Sequence, residues 1–129
     1  MQKLNYFVNF KAGFEKLSEL ENLIKTSSLD PSIRHLVKIY ASQINGCAFC
    51  VDMHVKEARI DGERELRIYH IPVWFESPLF SEKEKAALAW TKAITHLASG
   101  HPSDELFQET KKYFDDKELT ELNMAIGLI

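Results

Sequence analysis

No stretch of this chain alternates apolar and polar residues for long enough to read as a strand. Every patterned segment instead repeats its apolar residues three, four or seven positions apart, the period of a helix face. Phe10, Phe14, Leu17 and Ile24 mark a first helix. A break follows at Ser27-Ser28-Leu29-Asp30-Pro31, where Asp30 is a fitting N-cap and Pro31 suits the first helical position. Ile33, Leu36, Val37, Tyr40, Ala41 and Ile44 form the stripe of a second helix, and Asn45-Gly46 is a sharp turn signal. A third helix runs from Cys47 to Ile60 and stops at Asp61-Gly62, where glycine suits a left-handed cap. Residues 63–75 begin helically and are interrupted by Pro72. Ser81-Glu82-Lys83-Glu84 is a capping box that opens a helix through Ala87, Leu88, Thr91, Ile94 and Ala98, ending at Gly100. His101-Pro102-Ser103 restarts the chain into a helix with Leu106, Phe107 and Phe114, and a last helix begins near Lys117. The expectation is an all-α, single-domain fold of about six to seven helices over residues 1–129.

The chain is long enough to bury a core without metals or disulfides. A formal net charge of −3 argues against nucleic acid or an anionic membrane as the main partner, since both need a basic footprint. No basic segment precedes a long apolar run, and no stretch approaches the ~20 apolar residues of a membrane span. A cytoplasmic protein is therefore expected. Two cysteines are too few for a disulfide-stapled scaffold, and in that compartment closely spaced cysteines are more often catalytic or metal-binding.

Cys47, Cys50 and His54 fall within an arc of about 60° on one helix, and Cys50 and His54 are an (i, i+4) pair. Cys47 lies at the start of that helix, where free N–H groups and the helix dipole favour a thiolate. A dithiol at this spacing can close to a disulfide, and an adjacent imidazole can accept a thiol proton. Val51, Val55 and Ala58 on the same face predict partly buried thiols. Plain packing and metal binding are the competing readings; zinc asks for four ligands, and these residues supply three.

Residues 41–54, Ala-Ser-Gln-Ile-Asn-Gly-Cys-Ala-Phe-Cys-Val-Asp-Met-His, resemble the signature of the alkylhydroperoxidase D-like group within the carboxymuconolactone decarboxylase superfamily. The resemblance continues through residues 72–81 and 85–91 and covers the chain from about Tyr6 onward. It implies a helical fold with its CxxC at a helix N-terminus, assembly as trimers or hexamers, and thiol peroxidase activity on organic hydroperoxides. By the same resemblance Cys50 becomes the sulfenic acid, Cys47 resolves it as a Cys47–Cys50 disulfide, and His54 belongs to the proton relay. Decarboxylation is disfavoured, because the decarboxylases of the superfamily lack the paired cysteines. No cofactor is implied; an external dithiol or disulfide reductase regenerates the thiols. Related chains run past Ile129, so the domain is expected to be cut inside its last helix, with its apolar end at a subunit interface.

One departure from the pattern bears on mechanism. The group usually carries a glutamate twelve residues before the first cysteine, and here that position is His35. An imidazole there can pass a proton but cannot lend His54 a negative charge, so a weaker or differently pH-dependent peroxidase is expected. His35 also completes a Cys₂His₂ set with Cys47, Cys50 and His54, which keeps open a non-catalytic redox-sensing or metal-binding oligomer as the alternative. Tyr40, where the group often has arginine, is expected in the core, as are Trp74, Phe75 and Phe80, for which a hydrophobic substrate pocket or a subunit contact is the alternative. His70, His96 and His101 are read as structural or exposed, and residues 82–85 as a solvated helix start.

Overall fold

Polar side chains at the helix starts set the segmentation. The Asp30 carboxylate accepts the N–H of Ser32 at 2.8 Å, with Pro31 in the first turn. Ser81 and Glu84 form the expected capping box, and Asp115 and Glu118 form a second one that starts the last helix slightly before Lys117. The computed structural model describes residues 3–129; the first two positions of the expected domain lie outside the described residues. Along them run α1 (Tyr6–Asn9), α2 (Lys11–Lys25), α3 (Pro31–Ile44), α4 (Ala48–Ile60) and α5 (Glu65–His70). After a 3₁₀ turn at Ile71–Val73 come α6 (Glu82–Thr95), a second 3₁₀ turn at Leu97–Ser99, α7 (Asp104–Lys111) and α8 (Asp116–Gly127). There is no strand among the described residues, so the fold is all-α as expected. The count among the described residues is eight because the turn Tyr6–Asn9 is split from α2 at Phe10.

Helix α3 is the axis of the molecule, packed against α4, α6 and α8. Ile33, Val37 and Ala41 meet Ala87, Trp90, Leu122 and Ile126 on one side. Leu36, Ile39 and Tyr40 meet Ala58, Ile68, Ile71, Phe80 and Leu88 on the other. Both faces of one helix are therefore core, at ~1.5–3 kcal/mol for each large aliphatic side chain buried. Every residue from Ile33 to Ser42 is buried, the charged Arg34 and Lys38 included. Tyr40 and Phe80 are core as expected, whereas Phe75 is exposed and Trp74 is half-buried.

The first helix departs most from its expected role. Ile24 is buried, but Phe10 (69% exposed), Phe14 and Leu17 are not. α2 meets the rest of the molecule along α8 and covers only one corner of the core with Leu20 and Ile24. The remainder of its stripe faces outward or forms the wall of a cleft.

The start of α6 is less solvated than its charges suggest. Glu84 accepts a two-pronged contact from Arg67 (2.7 and 3.1 Å) as well as capping its own helix. Lys83 reaches Glu118 and lies over the Phe114 ring. None of the described helices is long and apolar enough to cross a membrane.

Candidate redox-active site

The turn between α3 and α4 places the cysteines. Gly46 adopts φ +66°, a left-handed conformation that disfavours side chains, and reverses the chain there. Cys47 then sits in extended conformation as the N-cap of α4, its N–H donated to the Ser42 carbonyl at 3.1 Å. Its sulfur accepts the N–H of Cys50 at 3.3 Å, the place where serine or aspartate normally caps a helix. Cys47 and Cys50 are joined as a disulfide with Cα atoms 5.3 Å apart. Both are half-buried.

The two cysteines line different surfaces. Cys50 faces a cleft of about 660 Å³ whose walls come from α2 (Phe14, Leu17), α4 (Met53, His54) and the end of α8 (Leu128, Ile129). The exposed stripe of α2 thus becomes part of the wall beside the disulfide. Cys47 faces a separate groove lined by Ser42, Gln43, Val51 and Val55.

His54 lies one turn beyond Cys50, 6% exposed. Its Nδ1 donates to the Glu57 carboxylate at 3.2 Å, which leaves Nε2 as the free acceptor. Burial pushes the imidazole below its ordinary range. The Glu57 carboxylate opposes that shift, while the charges of Lys38 and His35 add to it. At neutral pH the ring is accordingly a neutral base.

His35 is buried, and its Nε2 meets the Asp61 carboxylate at 2.6 Å. Asp61 is the C-cap of α4, eleven residues from Cys50 and so roughly 16 Å along the helix. The ring is therefore directed to the opposite end of α4 from the cysteines. Among the described residues no three His, Cys, Asp or Glu side chains gather as a metal-holding group. The Cys₂His₂ set of Cys47, Cys50, His54 and His35 does not assemble, because the two sulfurs are bonded to each other and Asp61 holds His35 at the far end of α4. His70 hydrogen-bonds Ser77 at 2.9 Å, and His96 and His101 are exposed.

Three residues of the neighbourhood do not stand out in the sequence. Glu57 lies three residues beyond His54, a helical spacing that puts the two side chains within reach. Lys38 is buried in α3, ion-paired to Glu21 of α2, and burial brings its ammonium down to about 8 against the opposing pull of Glu57. A lysine in a helical pattern normally reads as solvated, and only packing on both faces of α3 makes this one interior.

Comparisons with known proteins bear on the family and the fold. Residues 10–93 match the model of the carboxymuconolactone decarboxylase family. The uncharacterized protein YdfG of Bacillus subtilis (strain 168) is 38% identical over 128 residues, covering 99% of this chain and 87% of that protein. The uncharacterized protein YnjA of Escherichia coli (strain K12) is 36% identical over 105 residues, 81% of this chain and 57% of YnjA. A crystal structure of an Agrobacterium tumefaciens protein of unknown function, provisionally assigned to antioxidant defence as AhpD, superposes with TM-score 0.93 at 41% identity. The match covers 99% of this chain and 88% of that one. The debrominase Bmp8 shares the fold, with TM-score 0.79 at 19% identity over 88% of this chain and 61% of its own.

Proposed function

The chain belongs to the carboxymuconolactone decarboxylase family, and from that premise we propose that it is a CxxC thiol peroxidase acting on organic hydroperoxides. The observation that carries the reading is Cys50, set in a cleft of mixed apolar and charged walls, one turn from a neutral His54 and paired with Cys47. The structural relative with an antioxidant assignment lends it support.

In the reduced protein His54 takes the Cys50 proton. The thiolate attacks the terminal oxygen of the hydroperoxide, the O–O bond breaks, and the alkoxide leaves as an alcohol with the proton from His54. Cys50 is then a sulfenic acid. The Cys47 thiol attacks its sulfur, expelling water and closing the disulfide before over-oxidation intervenes. An external dithiol or disulfide reductase returns both thiols, itself becoming a disulfide. Glu57 supplies the carboxylate that orients the imidazole, a part that His35 cannot play. No organic cofactor enters the cycle. A cytoplasmic location and a homo-oligomeric assembly, trimer or hexamer, belong to the same reading.

Peroxide consumption by the reduced protein with a dithiol reductant tests it. Cys50→Ser is expected to fall to background and His54→Ala by about 10²-fold, the usual scale of a general base. A Cys50→Ser variant that keeps the wild-type rate would end the peroxidase reading.

A further inference from the structure

Lys38 is 2% exposed, whereas the other described lysines are half-buried or exposed. Leaving an ammonium in the interior costs several kcal/mol unless other groups hold it. Glu21 of α2 forms its ion pair, and Glu57 of α4 faces it across the helix interface. A small chamber of about 230 Å³ opens beside Lys38, where Lys25 of α2, Arg34 and His35 of α3, and Asp61 at the end of α4 complete the charged surroundings. Glu57, like Lys25, lines both this chamber and the Cys50 cleft. His54 touches the Glu57 carboxylate from one side, and Lys38 faces it from the other.

Building on the peroxidase reading, we propose that Lys38 is a positioning residue of the redox site. Held by Glu21, its ammonium keeps the Glu57 carboxylate turned to His54 Nδ1, which leaves Nε2 free for Cys50, and its charge disfavours a proton on the ring. The charge acts directly on the ring, since a cation disfavours a second cation beside it, while the Glu57 carboxylate pulls the other way. Because burial brings Lys38 down to about 8, the site loses this charge on the alkaline side of neutrality. Above that pH His54 is expected to hold a proton more readily.

The test follows the His54 ring resonances by NMR through a pH titration, with the disulfide closed so that no thiol titrates and no turnover is required. Lys38→Met is expected to move the His54 midpoint upward, and Lys38→Arg, which keeps the charge, to leave it near the wild-type value. An unchanged midpoint in a folded Lys38→Met protein overturns the proposal. Should that variant fail to fold, the wild-type protein decides. A second inflection of the His54 signals near pH 8 supports coupling to Lys38, and a single inflection overturns it. In the reduced protein the acid limb of the peroxide-rate profile should move upward in Lys38→Met. A protein with no peroxidase activity at all would sink the proposed function and leave the NMR result on Lys38 intact.

Discussion

Glu57 and Lys38 act on His54 with opposite signs, and single substitutions separate them. Glu57→Gln keeps a side-chain oxygen for Nδ1 but removes the negative charge that raises the imidazole against its burial. The midpoint of His54 should therefore fall further, the acid limb of the peroxide rate should move to lower pH, and the plateau should drop about tenfold as the base weakens. Substitution at Lys38 moves the same limb upward. A Glu57→Gln profile that superposes on the wild type would remove Glu57 from the site. These two residues also mark how far the site is legible in the sequence. Cys47, Cys50 and His54 are legible because helical spacing alone puts them on one arc. Glu57 is equally close in sequence, but the family pattern points instead to a carboxylate twelve residues before Cys47, at the position of His35. Lys38 is beyond reach, since nothing local says that its helix will be covered on both sides.

Helix ends are the most legible elements, because each is decided by a few adjacent groups: Asp30-Pro31, Ser81 with Glu84, and Gly62 at φ +91° after α4. What covers a helix face is decided elsewhere, and so the stripe of α2 has the spacing of core while it forms a cleft wall. The join between elements is least legible of all. From α5, Arg67 donates to Glu63 at 2.7 Å, to the Leu79 carbonyl at 2.6 Å, to both Glu84 oxygens, and to Ser32 at 3.2 Å. One guanidinium thus ties the start of α3, the α4–α5 connection and the start of α6, and its side chain is 14% exposed. Glu63 shows the consequence. Burial would raise its carboxyl, but the hydrogen bonds from Arg67 and Ser32 hold it below the usual range. Arg67→Met leaves two carboxylates together without their cation, and a loss of about 3–5 kcal/mol is expected from urea unfolding, the scale for removing one partner of a buried pair. A loss under about 1 kcal/mol would mean that water replaces the clamp.

At the scale of the whole molecule, the N-terminal segment exposes a run of large apolar side chains. Leu4, Tyr6, Phe7, Val8 and Phe10 are all more than half exposed, and Leu17 and Leu23 of α2 continue the patch. Exposed large apolar side chains grouped in sequence are what a protein contact covers, which fits the homo-oligomer proposed above. Period alone could not disclose this, because a stripe that packs on another subunit has the same spacing as one that packs on its own core. Tyr6 and Val8 are the informative positions. At 62% and 71% exposed they add little to the fold of their own chain, so charges placed there should act on assembly alone. Sedimentation of the wild-type protein is expected to show a species larger than the monomer. The pair Tyr6→Arg and Val8→Arg should shift it to monomer with unchanged helical content, because a stable contact needs roughly 800 Å² from each partner and cannot bury two unpaired cations at its centre. A wild-type chain that stays monomeric at high concentration would refute assembly through this face, and an arginine pair that leaves the oligomer intact would place the contact elsewhere on the molecule.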